Sequence, residues 1–510
     1  MYYPHIKRTE PGTDRNLAIE GFGHRIHDSQ TLYEYVIEFL IIFCSPKSWG
    51  TSNSVAAEHK FPSAKSVHEK TNKLHYSPTV RMGLKRFVFF ERSKQENRFE
   101  IDKQFYADMK EALRARIHCS KDLAVEDVMS VMQDLIYGFN AVVKNRAWFA
   151  QALLPVCPEL ALCEAMGSPS KRKRLHVRRA NLSFSDIDGS AGFQFHGHYF
   201  LARGGEVYFL HILRGLSERP ELTERLEQGL AKLVRDSFPQ LSWLALWVED
   251  NWLESVKEYG ASPVVLEKTC EWVPEGYAER ASLACMELVN LLEAELPNLQ
   301  KLDLLAKGIV LQILRMMSEQ ACTITEDVSK PEWIIDIASK PGSNVRKYAA
   351  ANYRACEEYF TRALDTLADK DSDLYAKGLR LTGSNRVAAL REGARFTLRL
   401  FRKLGKDLGL VVPPKGAEMR FTLNEGLVQF LVLSLVAPGH KVLLSDFLST
   451  LRDHYGMIIG PAELSVGMKG INLGELDSNR ANFQELLKRC GFLKDLSDAT
   501  SIVENPFGGA

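Results

Sequence analysis

The sequence lacks an excess of charge. Its 510 residues include 65 Lys+Arg against 64 Asp+Glu, a formal net charge of +1. No global field draws such a chain to polyanions, so any nucleic-acid contact has to come from local segregation of charge. It also lacks any Cys-x-x-Cys pair. The nine cysteines (Cys44, Cys119, Cys157, Cys163, Cys270, Cys285, Cys322, Cys356 and Cys490) are odd in number and widely spaced. That argues against a disulfide framework and fits scattered apolar thiols in a reduced, cytoplasmic protein. Long hydrophobic runs are missing. Tyr33 to Cys44 and Leu427 to Val436 fall short of the ~20 residues that cross a bilayer, so no membrane span is expected and both read as buried helices. The N-terminus, Met1-Tyr2-Tyr3-Pro4-His5, has no apolar h-region, and no secretory signal is expected. A Gly-x-x-x-x-Gly-Lys-Ser/Thr loop, a Gly-x-Gly-x-x-Gly turn after a strand and a Gly-x-Ser-x-Gly elbow are all absent. These absences argue against P-loop NTPase, dinucleotide-dependent and serine-hydrolase chemistry, and no cofactor is expected.

What is present is an ordinary globular composition, 45% apolar and 25% charged, in a length that suggests about three domains of ~150 residues. Residues 1–275 read as a mixed α/β region. Helices are expected at Thr31 to Phe43, Lys103 to Arg116, Val125 to Tyr137, Ala147 to Leu154 and Glu221 to Phe238, with a long Ser/Lys/Asn-rich loop over 46–80. Phe87 to Phe90 and Arg98 to Ile101 read as strands. So do Asn181 to Phe184 and the run Trp243 to Val248. Phe193 to Leu201 and Val207 to Leu213 are expected to form a hairpin through Ala202-Arg203-Gly204-Gly205, because paired glycines supply the positive φ of a tight turn. From Tyr277 helical patterns dominate to about residue 410: Ala281 to Leu296, Leu302 to Glu319, Val345 to Ala368 and Leu379 to Leu408.

The strongest charge signal is the stretch 376–406. Lys377, Arg380, Arg386, Arg391, Arg395, Arg399, Arg402, Lys403 and Lys406 stand against one acid, Glu392, a local excess of +8 in a chain of +1. Arg391, Arg395, Arg399, Arg402 and Lys406 recur at spacings of four, four, three and four, which places them along one face of a continuous helix. A stripe of one sign costs stability unless an anion lies against it. Phosphate backbone is the commonest such anion; acidic side chains of another domain or subunit are the alternative. A second cluster contains Lys171, Arg172, Lys173, Arg174, Arg178 and Arg179, six basic residues in nine. It follows Gly167-Ser168-Pro169-Ser170 and reads as a loop suited to phosphate or as a solvated one.

Enzyme candidates gather near the expected hairpin. His196 and His198 alternate onto one face of a strand, Asp186 and Asp188 do the same upstream, and Glu206 begins the returning strand. Such a set could hold a divalent ion for phosphodiester hydrolysis, although no spacing among them is diagnostic. The bland alternative is the solvent face of a hairpin, and no metal site is assigned. Glu267-Lys268 after Val264-Val265 loosely resembles restriction-type nuclease cores, but adjacent residues point to opposite faces of a strand.

The last ninety residues have the clearest pattern. Thr422-Leu423-Asn424-Glu425 has the form of a capping box, and an apolar helix follows to Pro438-Gly439. A short strand (Lys441 to Leu443), a helix capped by Ser445, a helix from about Asn479 to Arg489 and two strands near 492–494 and 500–503 complete the order. Helix, strand, helix, helix, hairpin resembles a winged helix, here spanning 419–510. That resemblance implies nucleic-acid contact or protein assembly. Its charge favours assembly: eight cations face ten acids from Arg420 onward, and Asp495 and Asp498 sit where a DNA-gripping wing would be basic. The segments Asn145 to Gln151 and Phe200 to Glu206 resemble stretches of uncharacterised bacterial proteins encoded beside restriction and antiphage systems. The expected class is α+β, with a mixed N-terminal region, a central helical region and the C-terminal winged helix. The expected function is a non-catalytic, DNA-binding subunit of a bacterial antiphage or DNA-processing complex, joined to other subunits through the winged helix. A metal-dependent nuclease and a pure assembly scaffold are the alternatives.

Overall fold

Twenty-seven residues from Asn298 to Ile324, with no proline among them, form the longest helix described. At 1.5 Å per residue it is about 40 Å long. It is buried along nearly its whole circumference, polar Lys301, Gln312, Arg315 and Glu319 included. A helix enclosed on all sides needs a shell, and six helices supply it: Leu32–Cys44, Gly204–Glu218, Ala281–Glu293, Asn344–Asp369, Leu398–Leu408 and Glu425–Leu435. One apolar core therefore runs continuously from Tyr3 to Val503. The computed structural model describes residues 2–4, 15–26, 30–50, 55–63, 73–92, 100–120, 122–141, 151–164, 203–257, 264–265, 267–326, 331–337, 340, 342–371, 380–416, 418–464, 472–497 and 500–508.

The class is α+β, with helices predominating and the sheets small. The largest sheet has four strands in the order Val55–Ala56, Lys47–Trp49, Leu74–Tyr76 and Lys268–Thr269, all antiparallel neighbours. Part of the expected 46–80 loop is thus sheet, and it buries Trp49, Phe61, Leu74 and Tyr76. Lys47 explains how the sheet joins the preceding helix. Its ammonium is buried and donates to the carbonyls of Ile42 (2.9 Å), Phe43 (2.9 Å) and Ser45 (2.6 Å), closing the end of Leu32–Cys44. Burial holds this amine down to about 8.

Several expected strands are helices. Phe87 to Phe90 falls within and beside Met82–Phe89, and Trp243 to Val248 lies inside Pro239–Ser255. The expected hairpin arm Val207 to Leu213 is the middle of Gly204–Glu218. Gly204 and Gly205 do not make a turn; they let this helix press against Leu32–Cys44. A Cβ on Gly204 would lie 1.8 Å from the Tyr35 ring. The carboxylate of Glu38, on that neighbouring helix, accepts from the amides of Arg203 (2.8 Å) and Gly205 (2.6 Å) and so caps the helix start from outside. The expected strands at 181–184 and 193–201 lie outside the described residues, as does the first half of the helix expected from Ala147 to Leu154; its second half, 151–154, is not helical, and Leu153 bridges antiparallel to Asn140 instead.

The C-terminal elements follow the expected order: Glu425–Leu435, Lys441–Leu443, Leu444–Tyr455, Leu473–Arg489 and the hairpin Leu493–Ser497 with Thr500–Glu504. Lys441–Leu443 pairs antiparallel with Thr500–Glu504, which closes a three-stranded sheet. The caps differ from the sequence pattern. Asn424, not Thr422, accepts from the amide of Leu427 (2.8 Å), while the Thr422 hydroxyl donates to the carbonyl of Asp336 (2.7 Å). The second helix begins at Leu444 without a side-chain cap, so Ser445 is inside it.

This unit is bolted to the rest of its own chain. Met457–Ile458 pairs parallel with Trp333–Ile334. The buried amide of Asn479 donates to the carbonyls of Ile335 and Ile459 (2.8 Å each) and accepts from the amide of Ile337 (2.8 Å). Glu475 accepts from the amides of Asn344 (2.8 Å) and Val345 (3.2 Å) at the start of Asn344–Asp369. A buried polar chain runs through the middle. Glu287 accepts from His454 Nδ1 (2.6 Å), Gln312 Nε2 (2.7 Å) and the Tyr455 hydroxyl; Gln312 accepts from Arg315 (3.0 Å), which pairs with Glu319 (2.7 Å). Asn479→Ala strands three buried backbone groups. We expect it to lower unfolding free energy by about 2 kcal/mol, read by chemical denaturation. A loss indistinguishable from zero would show that water replaces the amide.

Candidate nucleic-acid interface

The basic stretch folds as two helices, Gly383–Phe396 and Leu398–Leu408. The break is Thr397, at φ −124° and ψ −92°. Its buried hydroxyl donates to the carbonyl of Gly393 (2.9 Å), the back-bonding that bends helices at threonine. The single continuous face implied by the spacing of Arg391, Arg395, Arg399, Arg402 and Lys406 is therefore split. Arg391 and Arg395 share the exposed side of the first helix, with Val387. Arg399 is exposed on the second, while Arg402 and Lys406 are half-buried.

Ion pairing sorts these cations. Arg386 is held by Asp365 (3.0 Å) and Asp369 (3.1 Å) of the adjoining helix, Arg402 by Glu357 (2.8 Å), and Lys403 by Asp407 and the carbonyl of Gln30 (3.0 Å). The acidic side chains expected as an alternative to phosphate thus cover one edge of the stretch. Among the described residues no acid pairs with Arg391, Arg399 or Lys406. The stretch's lone acid, Glu392, is paired by Arg25 (3.0 Å), whose guanidinium also lies over the Phe396 ring at 4.5 Å. Arg395 lies over the same ring at 5.3 Å. Arg25 is thus a member of this basic surface that the local sequence pattern could not supply.

No family model matches this chain, and neither a curated protein nor a solved structure does.

The C-terminal unit spends its charge differently. Arg420 pairs with Asp336, Lys441 and Lys494 with Glu504, Arg452 with Glu332, Arg480 with Asp477, Lys488 with Glu485 and Asp495, and Arg489 with Glu425. Every described Lys or Arg from Arg420 onward has an acid beside it.

Of the five nuclease candidates, Asp186, Asp188, His196 and His198 lie outside the described residues, as does the basic run with Lys171, Arg172, Lys173, Arg174, Arg178 and Arg179. Glu206 is in the first turn of a helix, not on a returning strand. Its buried carboxylate accepts from Arg203 Nε (2.9 Å) and from the amide of Glu271 (2.9 Å), while Arg203 reaches on to the carbonyls of Gly23 and Trp272 (3.2 Å). That is the bonding of a structural clasp. Burial, then Glu206, pushes the neighbouring Glu38 carboxyl up to about 8, and burial holds Lys268 down to about 8. Among the described residues no group of three His, Cys, Asp or Glu side chains is placed to hold a metal ion, and no helix is long and apolar enough to cross a membrane. All nine cysteines are unpaired, seven of them buried.

Proposed function

We propose that this chain is a nucleic-acid-binding, non-catalytic subunit of a larger DNA-directed assembly. Phosphate backbone lies along the kinked helix pair, against Arg391, Arg395 and Arg399. The C-terminal unit acts as a winged-helix-like docking module that binds protein. The contrast in charge use carries this reading: among the described residues Arg391 and Arg399 are exposed with no acidic partner on the helix pair, whereas every described Lys and Arg of the C-terminal unit is paired with an acid. Unpaired exposed guanidinium groups are ready to release counterions from phosphate, whereas a paired one must first give up its acid. The resemblance of residues 145–151 and 200–206 supports a bacterial antiphage or DNA-processing setting.

The test is charge reversal at Arg391, Arg395 and Arg399 together. We expect the triple Arg→Glu variant to bind a short DNA duplex about a hundredfold more weakly in low salt, with a shallower dependence on salt, by fluorescence anisotropy. Circular dichroism should be unchanged, because these side chains are exposed. Reversing Lys488 and Arg489 on the C-terminal unit should change affinity less than threefold. Equal DNA affinity in wild type and the helix-pair variant rejects the interface.

A further inference from the structure

A polar cavity of about 280 Å³ lies away from the basic helix pair. It is walled by the end of Leu32–Cys44, the strands around Ser77 and Thr79, the start of Pro158–Leu162, and the helices that carry Arg235 and Ser242. Its residues span nearly two hundred positions in sequence, so no local spacing announces it.

Two nitrogen atoms in its wall bear on what it could hold. Arg81 Nε and His59 Nε2 are both shielded from solvent, and neither has a hydrogen-bond partner. A guanidinium Nε can only donate. Leaving a charged donor buried and unmet costs free energy, so Arg81 Nε calls for an acceptor inside the cavity. His59 stands at φ +60°, a left-handed conformation that a histidine adopts only at some cost and that helps fix its ring over the edge of Phe43. Burial, then the nearby cations Arg235 and Lys47, hold its imidazole down to about 4, so the ring is neutral near pH 7 and serves as a donor or an acceptor without carrying charge.

The rest of the wall points the same way. Arg235 is exposed at the mouth, and Ser77 and Thr79 add hydroxyls. Of the two carboxylates, Glu159 already receives the Ser242 hydroxyl, and Glu58 is exposed at the rim. The unmet need inside is for an acceptor with several lone pairs. Cys44 also faces the cavity, but burial pushes its thiol up to about 12, so it stays protonated and is no nucleophile.

We propose that this cavity binds the phosphate group of a small phosphate monoester, with Arg81, His59 and Arg235 as its nitrogen donors, Ser77 and Thr79 supporting them, and Glu58 receiving a hydroxyl of the ester's body. A tetrahedral oxyanion offers acceptors in several directions at once and suits donors converging from separate walls. A planar carboxylate would satisfy one guanidinium and leave the ring. The volume accommodates a phosphate and a sugar-sized body, and is below that of a site for larger ligands.

The experiment uses the full chain at neutral pH and constant ionic strength. Calorimetric titration with inorganic phosphate should show saturable binding, at least tenfold tighter than acetate, and the His59 ring proton signals should move in NMR. Arg81→Met should weaken phosphate by tenfold or more, the usual scale of a charge-assisted hydrogen bond. Arg235→Met should weaken it severalfold and, being at an exposed position, leave the fold intact even if Arg81→Met does not fold. Ribose 5-phosphate and an oligonucleotide with a 5′-phosphate then distinguish a free metabolite from a nucleic-acid end, by whichever binds more tightly than phosphate itself. Absence of binding to the wild type, equal affinity for acetate, or unchanged affinity in the folded variants overturns the proposal and leaves a water-filled cavity.

Discussion

Gly205→Ala will cost about 4 kcal/mol or more, and the variant will unfold at correspondingly lower denaturant. The added methyl would lie 2.3 Å from the carbonyl oxygen of Tyr35, 2.4 Å from the amide nitrogen of Phe39 and 2.7 Å from Cβ of Glu38. Two of those atoms are backbone of a helix that is itself buried, so no rotamer change relieves the clash. The helices would have to separate, opening the contact that holds Tyr35, Phe39, Tyr208 and Phe209 together and pulling Glu38 from the amides it caps. Gly474→Ala is the matched control. That glycine is exposed in a helix's first turn, with its nearest neighbour 3.5 Å from the added carbon, and alanine there should be neutral or stabilising by up to about 1 kcal/mol. A Gly205→Ala variant as stable as its Gly474→Ala counterpart would mean that the two helices are not so closely packed.

Acid will destabilise the protein through two imidazoles that share one tyrosine. His24 Nε2 bonds the Tyr277 hydroxyl (2.8 Å) and His211 Nδ1 bonds the Tyr277 carbonyl (2.7 Å). Burial holds each ring down to about 3, with Arg203 adding to the effect on His24 and Arg315 to that on His211. The unfolded chain, with histidine near 6.5, binds these protons first. The stability they permit is therefore complete above pH 6.5 and is lost as pH falls toward 3, at up to roughly 4–5 kcal/mol for each ring. Glu38, held up to about 8, works in the opposite sense between its unfolded value and 8, so the whole-protein curve is a sum. The difference between wild type and His211→Gln isolates one ring. Unfolding free energies from pH 7 to 4 should fall less steeply in the variant, by about one proton's worth of slope. Parallel curves would show that His211 is protonated without cost.

The sequence was most legible where a helix has a wet side. Val125–Tyr137 alternates buried and exposed positions, and its expected limits match the structure. Gly204–Glu218 is buried at twelve of fifteen positions. A helix with no polar side has no 3.6-residue signal, so its aromatic and β-branched run imitated a strand. The glycine pair was misread because glycine serves both tight turns and close helix contacts, and only a neighbour in space tells them apart. Similar blindness affected the basic stretch. Its charge was plain, but the acids that claim Arg386 and Arg402 come from Asn344–Asp369, and the cation that claims Glu392 comes from residue 25. The docking of the C-terminal unit through Asn479 and Glu475 also depends on partners more than a hundred residues away.

The short strand at Trp333–Ile334 has a consequence for synthesis. The amides from Trp333 to Ile337 find their acceptors on Gly456, Asn352, Ile458, Phe421 and Asn479, all later in the chain. Trp333, buried in the finished protein, stacks on Phe421 and meets Phe401 edge-on, and both rings are also made later. Asn479 emerges 142 residues after Ile337, a wait of about 7–30 s at ordinary translation rates. For that interval the nascent chain presents a sticky, unpaired strand, a natural stretch for a chaperone to hold.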